Sequence, residues 1–476
     1  MTEFSQPPRM TDSRTRIVAT LGPASTSPEV FRTLVDAGLN VARINFSHGT
    51  HEQHAATIAM IRTVAQDVDR PIAILGDLQG PRIRIGVLPV PLQIADGSQL
   101  TFVHESLAGA GDVPVTYDHF ADDVSVGARV LVNDGLLEFV VLAVDGPRVR
   151  VRTVHGGEMK SNKGMNLPGV DVSAPSLTEK DLADIEFAIA QDLDYLALSF
   201  VRRAEDIVAM RKLLPKGMLI VAKIEKDSAL ERIESILDAA DAVMVARGDL
   251  GVELPFEDVP LAQKRIIGLA NRHGRPVITA TQMLESMIEH PRPTRAEAND
   301  VANAVLDGTD AVMLSAETAA GAWPALAVEA MHRIITTAET FPVTRGLGLD
   351  RLQPGTASTE ETIASASVTA VRMVGAHLLV VITKSGFSAR VVAARRPGVP
   401  IVVLTDSQRT YRQLALVWGV IPILVPHCDT YEQMWGLAKV EIIKRGLAKA
   451  GDRIVATAGV PFDMPGATNL LKVETV

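Results

Sequence analysis

The chain has 476 residues, 47% hydrophobic and 22% charged, with 35 glycines and 27 prolines, which is material for about three domains and excludes a disordered or collagen-like chain. A net charge of −9, with no block dense in Lys and Arg, leaves nucleic acid without the basic footprint it requires. Cys428, the one cysteine, excludes an internal disulfide, a thiolate zinc site and a Cys-X-X-Cys pair, and no run of about 18 apolar residues marks a membrane span, so a cytoplasmic protein is expected.

Residues 1–15 (MTEFSQPPRMTDSRT) lack an apolar stretch and read as a flexible N-terminus. From Arg16, β-branched runs alternate with segments of helical spacing: Arg16–Leu21, Val41–Phe46, Ile72–Leu75, Tyr195–Phe200, Leu219–Ile224, Ala242–Ala246, Pro276–Ala280 and Ala311–Leu314. Eight such units predict an α/β fold, a closed (β/α)8 barrel, over residues 16–80 and 173–342. The interruption at 81–172 is rich in Val and Gly, and both VNDGLLEF and VDGPRVRV place a DG turn between alternating strands, so a small inserted β-barrel is expected there. Ser176-Leu177-Thr178-Glu179 reads as a capping box that reopens the barrel. Residues 343–360 carry Pro, Gly and polar residues without periodicity, a linker pattern. Residues 361–476 alternate helices 362–374, 389–395, 409–418 and 431–444 with strands 378–383, 401–405, 421–425 and 454–458, an open α/β domain.

Polar residues fall at the predicted strand ends, where a (β/α)8 barrel holds its active site. They are Arg43, Asn45, Ser47 and His48 on the second strand, Asp77 on the third and Ser199 on the fourth. Lys223 and Glu225 follow on the fifth, Arg247-Gly248-Asp249 on the sixth, Thr281 on the seventh and Glu317 on the eighth. Lys223 and Glu225, two residues apart on one strand, point to the same face. With Asp249 they offer two carboxylates for Mg²⁺ or Mn²⁺ beside an ammonium; a structural ion pair plugging the barrel end is the competing reading. The amides of ARGDLG offer an anion site. Arg43 and Arg84 suit phosphate, and Thr281 could relay a proton. Lys163, where the insertion returns to the barrel, could reach phosphates if the insertion closes as a lid. In the last domain, Thr383-Lys384-Ser385-Gly386-Phe387-Ser388 follows a strand and opens a helix, so hydroxyls, amides and helix dipole can hold a phosphate. These readings describe a metal-assisted enzyme acting on a phosphorylated or carboxylated anion, without naming the reaction.

The segments TRIVATLGPAS, NVARINFSHGTHEQH, ILGDLQGPRIR, SNKGMNLPG, VAKIEK, VMVARGDLGVELP, TATQMLESM, DGTDAVMLSAETAAG and TKSGFSARVVAARRP stand in an order and spacing that resembles the pyruvate kinase family over nearly the whole chain. The resemblance implies a barrel, a lid after the third strand and a C-terminal regulatory domain. It implies phosphoryl transfer from phosphoenolpyruvate to ADP, giving ATP and pyruvate. By the same resemblance Glu225 and Asp249 hold the divalent metal, Lys223 neutralises the phosphoryl group in flight and Thr281 serves the proton relay. Gly248 and Asp249 then cradle the substrate carboxylate. Arg43, Arg84 and Lys163 match phosphate positions, and Asn45 and His48 match nucleotide-side positions. Thr383, Lys384, Ser385, Gly386 and Ser388 match the loop for a phosphorylated effector, and homotetramers are the family habit.

One cluster departs from the common pattern. K⁺-requiring relatives hold the ion with residues matching Asn45, Ser47, Asp77 and the carbonyl of Leu78, and carry a Glu where this chain has Arg82. The run Asp77-Leu78-Gln79-Gly80-Pro81-Arg82 resembles the branch in which the monovalent ion is dispensable. The expectation is that the Arg82 guanidinium stands near Asp77 in place of K⁺.

Overall fold

A computed structural model describes residues 13–341, 357–460 and 468–476. The linker reading falls mostly on residues 342–356, and the N-terminal reading on 1–12, both outside the described residues. Ser13–Thr15 are held in place: Glu339 accepts hydrogen bonds from the amides of Arg14 and Thr15, and Thr15 is buried.

Eight parallel strands close into the expected barrel: β1 (Arg16–Thr20), β2 (Val41–Asn45), β3 (Ala73–Asp77), β4 (Tyr195–Leu198), β5 (Leu219–Ile224), β6 (Ala242–Ala246), β7 (Val277–Ala280) and β8 (Ala311–Leu314). Strands covered on both faces can be apolar throughout, and all eight are buried nearly end to end. One core lies between strands and outer helices. A second fills the barrel interior with Val18, Leu75, Val221 and Met244, and is plugged from below by Ala415 and Leu416 of the C-terminal domain.

The insertion is a curled β-sheet whose edges are joined by an irregular segment. Its main sheet has six strands in the order 165–166, 129–132, 137–145, 148–155, 99–104 and 113–115, with a separate pair at 92–94 and 157–159. The sheet's two edges are joined by residues 83–86: Ile85 N–H donates to Lys163 O and Met165 N–H to Ile83 O on one side, and Gly86 N–H donates to Pro114 O and Thr116 N–H to Arg84 O on the other. Both DG turns form as expected, with Asn133, Asp134, Gly135 and Gly146 at positive φ. Phe102, Phe120 and Phe139 pack edge to face in its core.

The helix that resumes the barrel, Glu179–Ala190, is capped two residues later than expected. Thr178 is the N-cap and Asp181 the reciprocal partner, because Thr178 takes the extended backbone a cap needs. Asp181 also accepts the Gly80 N–H at 3.1 Å, tying this helix to the start of the insertion.

The C-terminal sheet contains β9 (Leu379–Ile382), β10 (Ile401–Thr405), β11 (Val420–Leu424) and β12 (Arg453–Gly459), all parallel, in the order 11-10-9-12. A further strand, β13 (Thr468–Thr475), which the sequence reading omits, runs antiparallel along β12 at the edge. The expected helix over 409–418 breaks into an α-helix, Gln408–Gln413, and a 3₁₀ turn, Leu414–Leu416, which forms the plug.

Candidate functional site

The C-terminal ends of β2, β3, β4 and β5 deliver a buried cluster of charges. Asp77, at the end of β3, is its centre: Arg43 Nε of β2 donates to Asp77 Oδ2 at 2.7 Å, and Lys223 Nζ of β5 lies 3.2 Å from Oδ1. Arg43 also donates to the Thr20 hydroxyl at 2.8 Å. Lys223 Nζ stands 2.9 Å from Glu225 Oε1 and donates to Ser199 Oγ at 2.7 Å. Burial opposes ionisation of Asp77, but Lys223 and Arg43 outweigh it and hold the carboxyl below its ordinary range. Burial likewise opposes the Lys223 ammonium, and Asp77 with Glu225 more than restores it.

Above β6, the short helix Arg247–Glu253 brings Gly248 and Asp249 beside Thr281. The Gly248 N–H donates to Thr281 Oγ1 at 2.8 Å, and that hydroxyl donates to Ala280 O at 2.6 Å. Thr281 and Gln282 sit at φ 67° and 52°, a conformation a β-branched residue adopts only under constraint. Arg247 supplies the constraint, donating to the carbonyls of Ala280, Thr281 and Gln282 while paired to Asp300.

Burial and the neighbouring Glu225 carboxylate push the Asp249 carboxyl up to about 6. Glu225 Oε1 is buried and faces the Lys223 ammonium, while Oε2 accepts from the Phe200 N–H at 2.7 Å. Two carboxylates that repel each other suit a hard divalent cation. No cluster of three or more His, Cys, Asp or Glu poised for a metal exists among the described residues. A cation here would complete its shell with water and substrate oxygens, as Mg²⁺ does.

The remaining predicted residues separate into groups. Arg43, Asn45 and His48 line a recess of about 870 Å³ together with Pro23, His54 and Ser315. Ser47 donates its N–H to Asn45 Oδ1 at 3.1 Å, and the Leu78 carbonyl accepts from Ser199 Oγ at 2.7 Å. Arg84 and Lys163 lie side by side at the insertion's hinge: Arg84 donates to Asn162 O, and the Lys163 carbonyl accepts from Ile85 N–H. Residues 383–388 lie in the C-terminal domain, where Gly386 caps the helix Phe387–Ala394 and its N–H donates to Thr383 Oγ1 at 3.1 Å. The Ser388 hydroxyl is engaged by Thr468.

Arg82 corrects the expectation placed on it. Its guanidinium lies 5.9 Å from the Phe200 ring, exposed, in a cleft shared with Asp249 and Lys226, and both Asp77 oxygens face Arg43 and Lys223 instead. Sequence reading also assigns no part to Thr20, or to Glu253, which pairs with Lys226 and accepts from Asn166 of the insertion at 3.2 Å. The only available signal is position: Glu253 stands four residues beyond Asp249 and Asn166 three beyond Lys163.

A (β/α)8 barrel carrying this cation and carboxylate cluster at its mouth, a β insertion hinged above it and an α/β domain below defines a phosphotransferase of modular build. Family models agree: the barrel domain of pyruvate kinase matches residues 12–328, and its alpha/beta domain matches residues 361–474. The chain is 46% identical to a pyruvate kinase of Geobacillus stearothermophilus over 97% of its own length and 80% of the relative's. It is 42% identical to one of Sporosarcina psychrophila with the same coverage. A crystal structure of a pyruvate kinase from Cryptosporidium parvum superposes with a TM-score of 0.92 at 35% identity, covering 98% of this chain and 97% of that one. The chain belongs to the pyruvate kinase family.

Proposed function

We propose that the chain transfers the phosphoryl group of phosphoenolpyruvate to ADP, yielding ATP and pyruvate. The observation that carries this reading is the Arg43–Asp77–Lys223–Glu225 cluster set beside Asp249 and Thr281 at the barrel mouth. Phosphoryl transfer is mostly positioning and charge stabilisation, and this cluster concentrates fixed cations at one point. Glu225 and Asp249 would hold Mg²⁺ or Mn²⁺, which when bound supplies Lewis-acid charge at the phosphoryl oxygens. Arg43 and Lys223 contact the transferring group. As an ADP oxygen forms its bond to phosphorus, the bond to the enolate oxygen breaks, and the enolate carbon takes a proton from the relay that includes the Thr281 hydroxyl. The Gly248 and Asp249 amides face the substrate carboxylate. Asn45, His48, Arg84 and Lys163 serve the nucleotide, the last two carried by residues 81–172 as that lid closes.

The finer readings rest on particular contacts. K⁺ is dispensable because Asp77 is already ion-paired to Arg43 and Lys223 and Asn45 Oδ1 is occupied by Ser47 N–H, so the ion would add little neutralisation. Arg82 does not supply that charge. A phosphorylated effector binds at Thr383, Lys384, Ser385, Gly386 and Ser388, in a regulatory domain of residues 361–476. A cytoplasmic homotetramer is the form this family reading favours, and no helix among the described residues is long and apolar enough to cross a membrane. The test is a coupled assay for pyruvate formed from phosphoenolpyruvate and ADP, with and without Mg²⁺, in K⁺-free tetramethylammonium buffer. Turnover that needs Mg²⁺ but not K⁺ is expected. No pyruvate would overturn the reaction, and strong K⁺ activation would overturn only the monovalent reading.

A further inference from the structure

Just past β2 the chain turns through one peptide unit that is held at both ends. The Ser47 N–H donates to Asn45 Oδ1 at 3.1 Å, and the Phe46 carbonyl of the same planar peptide accepts from Lys180 Nζ at 2.7 Å. Lys180 lies in the first turn of the helix Glu179–Ala190, and its ammonium also donates to Asp184 Oδ2 at 2.6 Å. That carboxylate is buried, and His51 Nε2 stands 2.7 Å from its other oxygen. The His51 ring in turn stacks on Phe187, with centroids 4.4 Å apart. The ammonium is therefore fixed between an immobile carboxylate and one carbonyl, although the lysine side chain is half exposed.

We propose that Lys180 is a positioning residue for the nucleotide: it sets the Phe46–Ser47 peptide so that Asn45 presents its amide nitrogen, rather than its oxygen, to phosphate. The inference rests on the reading of Asn45 as a nucleotide-side residue of the recess it lines with Arg43 and His48. An Asn side chain offers donors at one end and an acceptor at the other, and an anionic phosphate takes hydrogen bonds only from the donor end. The Ser47 N–H engages the oxygen end, which leaves the nitrogen end to donate. Because the peptide is planar, an ammonium that holds its carbonyl also aims its N–H. Without Lys180 that peptide is free to rotate, Asn45 loses its directing donor, and its amide can turn an oxygen toward phosphate. Lys180 touches neither nucleotide nor metal and acts through Asn45.

Calorimetric titration of the full-length protein with ADP and Mg²⁺, without phosphoenolpyruvate, reads binding apart from turnover. Lys180→Met should weaken ADP binding by about 5-fold, the scale of one hydrogen bond from a half-exposed charged donor. Lys180→Arg, which keeps a charged donor, should bind as the parent does. In assays, Lys180→Met should raise KM for ADP by a similar factor and leave kcat and KM for phosphoenolpyruvate near the parent's, a split that general loosening of the fold would not produce. In an Asn45→Ala background, Lys180→Met should change ADP affinity little further, because the side chain it acts through is gone. Unchanged ADP affinity in Lys180→Met, an equal loss in Lys180→Arg, or the full additional loss in the Asn45→Ala background would overturn the inference and leave the nucleotide reading standing. Parental ADP affinity in Asn45→Ala would remove the premise and overturn the inference together with the assignment of Asn45 to the nucleotide.

Discussion

Asp77 shows how much one buried side chain can organise. It is 1% exposed and is faced by two cations, so removing it strands Arg43 and Lys223 without their shared counter-charge. Asp77→Ala should destabilise the fold by about 3–5 kcal/mol, the usual result of breaking a buried ion pair from one side, measured as a shift of the denaturant midpoint at constant slope. Glu225→Ala and Asp249→Ala should each remove most activity even at saturating Mg²⁺, and near-normal turnover in either would end their assignment as ligands. Lys223→Met should lower kcat by about 10²–10³-fold while changing KM for phosphoenolpyruvate far less, since its charge matters most as charge develops. A loss confined to KM would contradict that role. These residues are legible in the sequence because charge at a strand end is unusual. Ser199 is legible only as a polar strand end, since nothing in the sequence says that its hydroxyl lies between Leu78 O and Lys223.

Among elements, the helix Arg295–Asp307 illustrates a terminus that reports on pH. Thr294 caps it, and Glu297 accepts from Thr294 N–H at 2.7 Å, Ser286 N–H at 2.7 Å and Ser286 Oγ at 2.5 Å. Burial opposes the Glu297 charge, but these hydrogen bonds outweigh it and hold its pKa below the ordinary 4.5. A carboxyl depressed in the folded state contributes stability that is fully present above its unfolded value and is lost as pH falls through the folded one. Glu297→Gln should therefore lower stability by about 1 kcal/mol at pH 7, and the difference from the parent should shrink below about pH 4.5. Thermal melts across pH 3–7 check it; a difference that persists at the acid end would refute the link. Element types were legible wherever periodicity was strong, as in all eight barrel strands. Strand β13 was not, because residues 468–475 interrupt a Leu-Leu pair and a lone Val with Asn, Lys and Glu and pair only along one edge of β12.

At the scale of the molecule, the C-terminal domain is fastened to the barrel's lower rim by charge. Arg412 Nε donates to Asp194 Oδ1 at 2.7 Å, its other arm reaches Asp192 at 2.7 Å, and fully buried Asp194 also accepts from Arg62 and from the Ile74 N–H at 2.8 Å. Asp194 thereby touches the start of β3, which carries Asp77, and precedes β4, which leads to Ser199. On the other side, Thr410 of the same short helix donates to Lys384 O at 2.6 Å, within the proposed effector loop. Arg412→Met should lower the melting temperature and blunt any change in the phosphoenolpyruvate saturation curve caused by sugar phosphates or nucleoside monophosphates, while leaving basal kcat near the parent's. An intact effector response in that variant would show that coupling takes another route.

Sequence alone determined the barrel, the presence and place of a β insertion, the α/β character of the last domain and the residue types at the strand ends. Each of these is written in local periodicity, turn chemistry or ordered motifs, which need no knowledge of distant neighbours. Tertiary structure alone decided which charges meet. The pairing of Asp77 with Arg43 and Lys223, the location of Arg82 over Phe200, the seam of the insertion at Arg84 and Ile85 and the plug formed by Ala415 and Leu416 all depend on where separate strands and domains come to rest. Ion pairs and packing act over a few ångströms between residues far apart in the chain, so no local pattern records them.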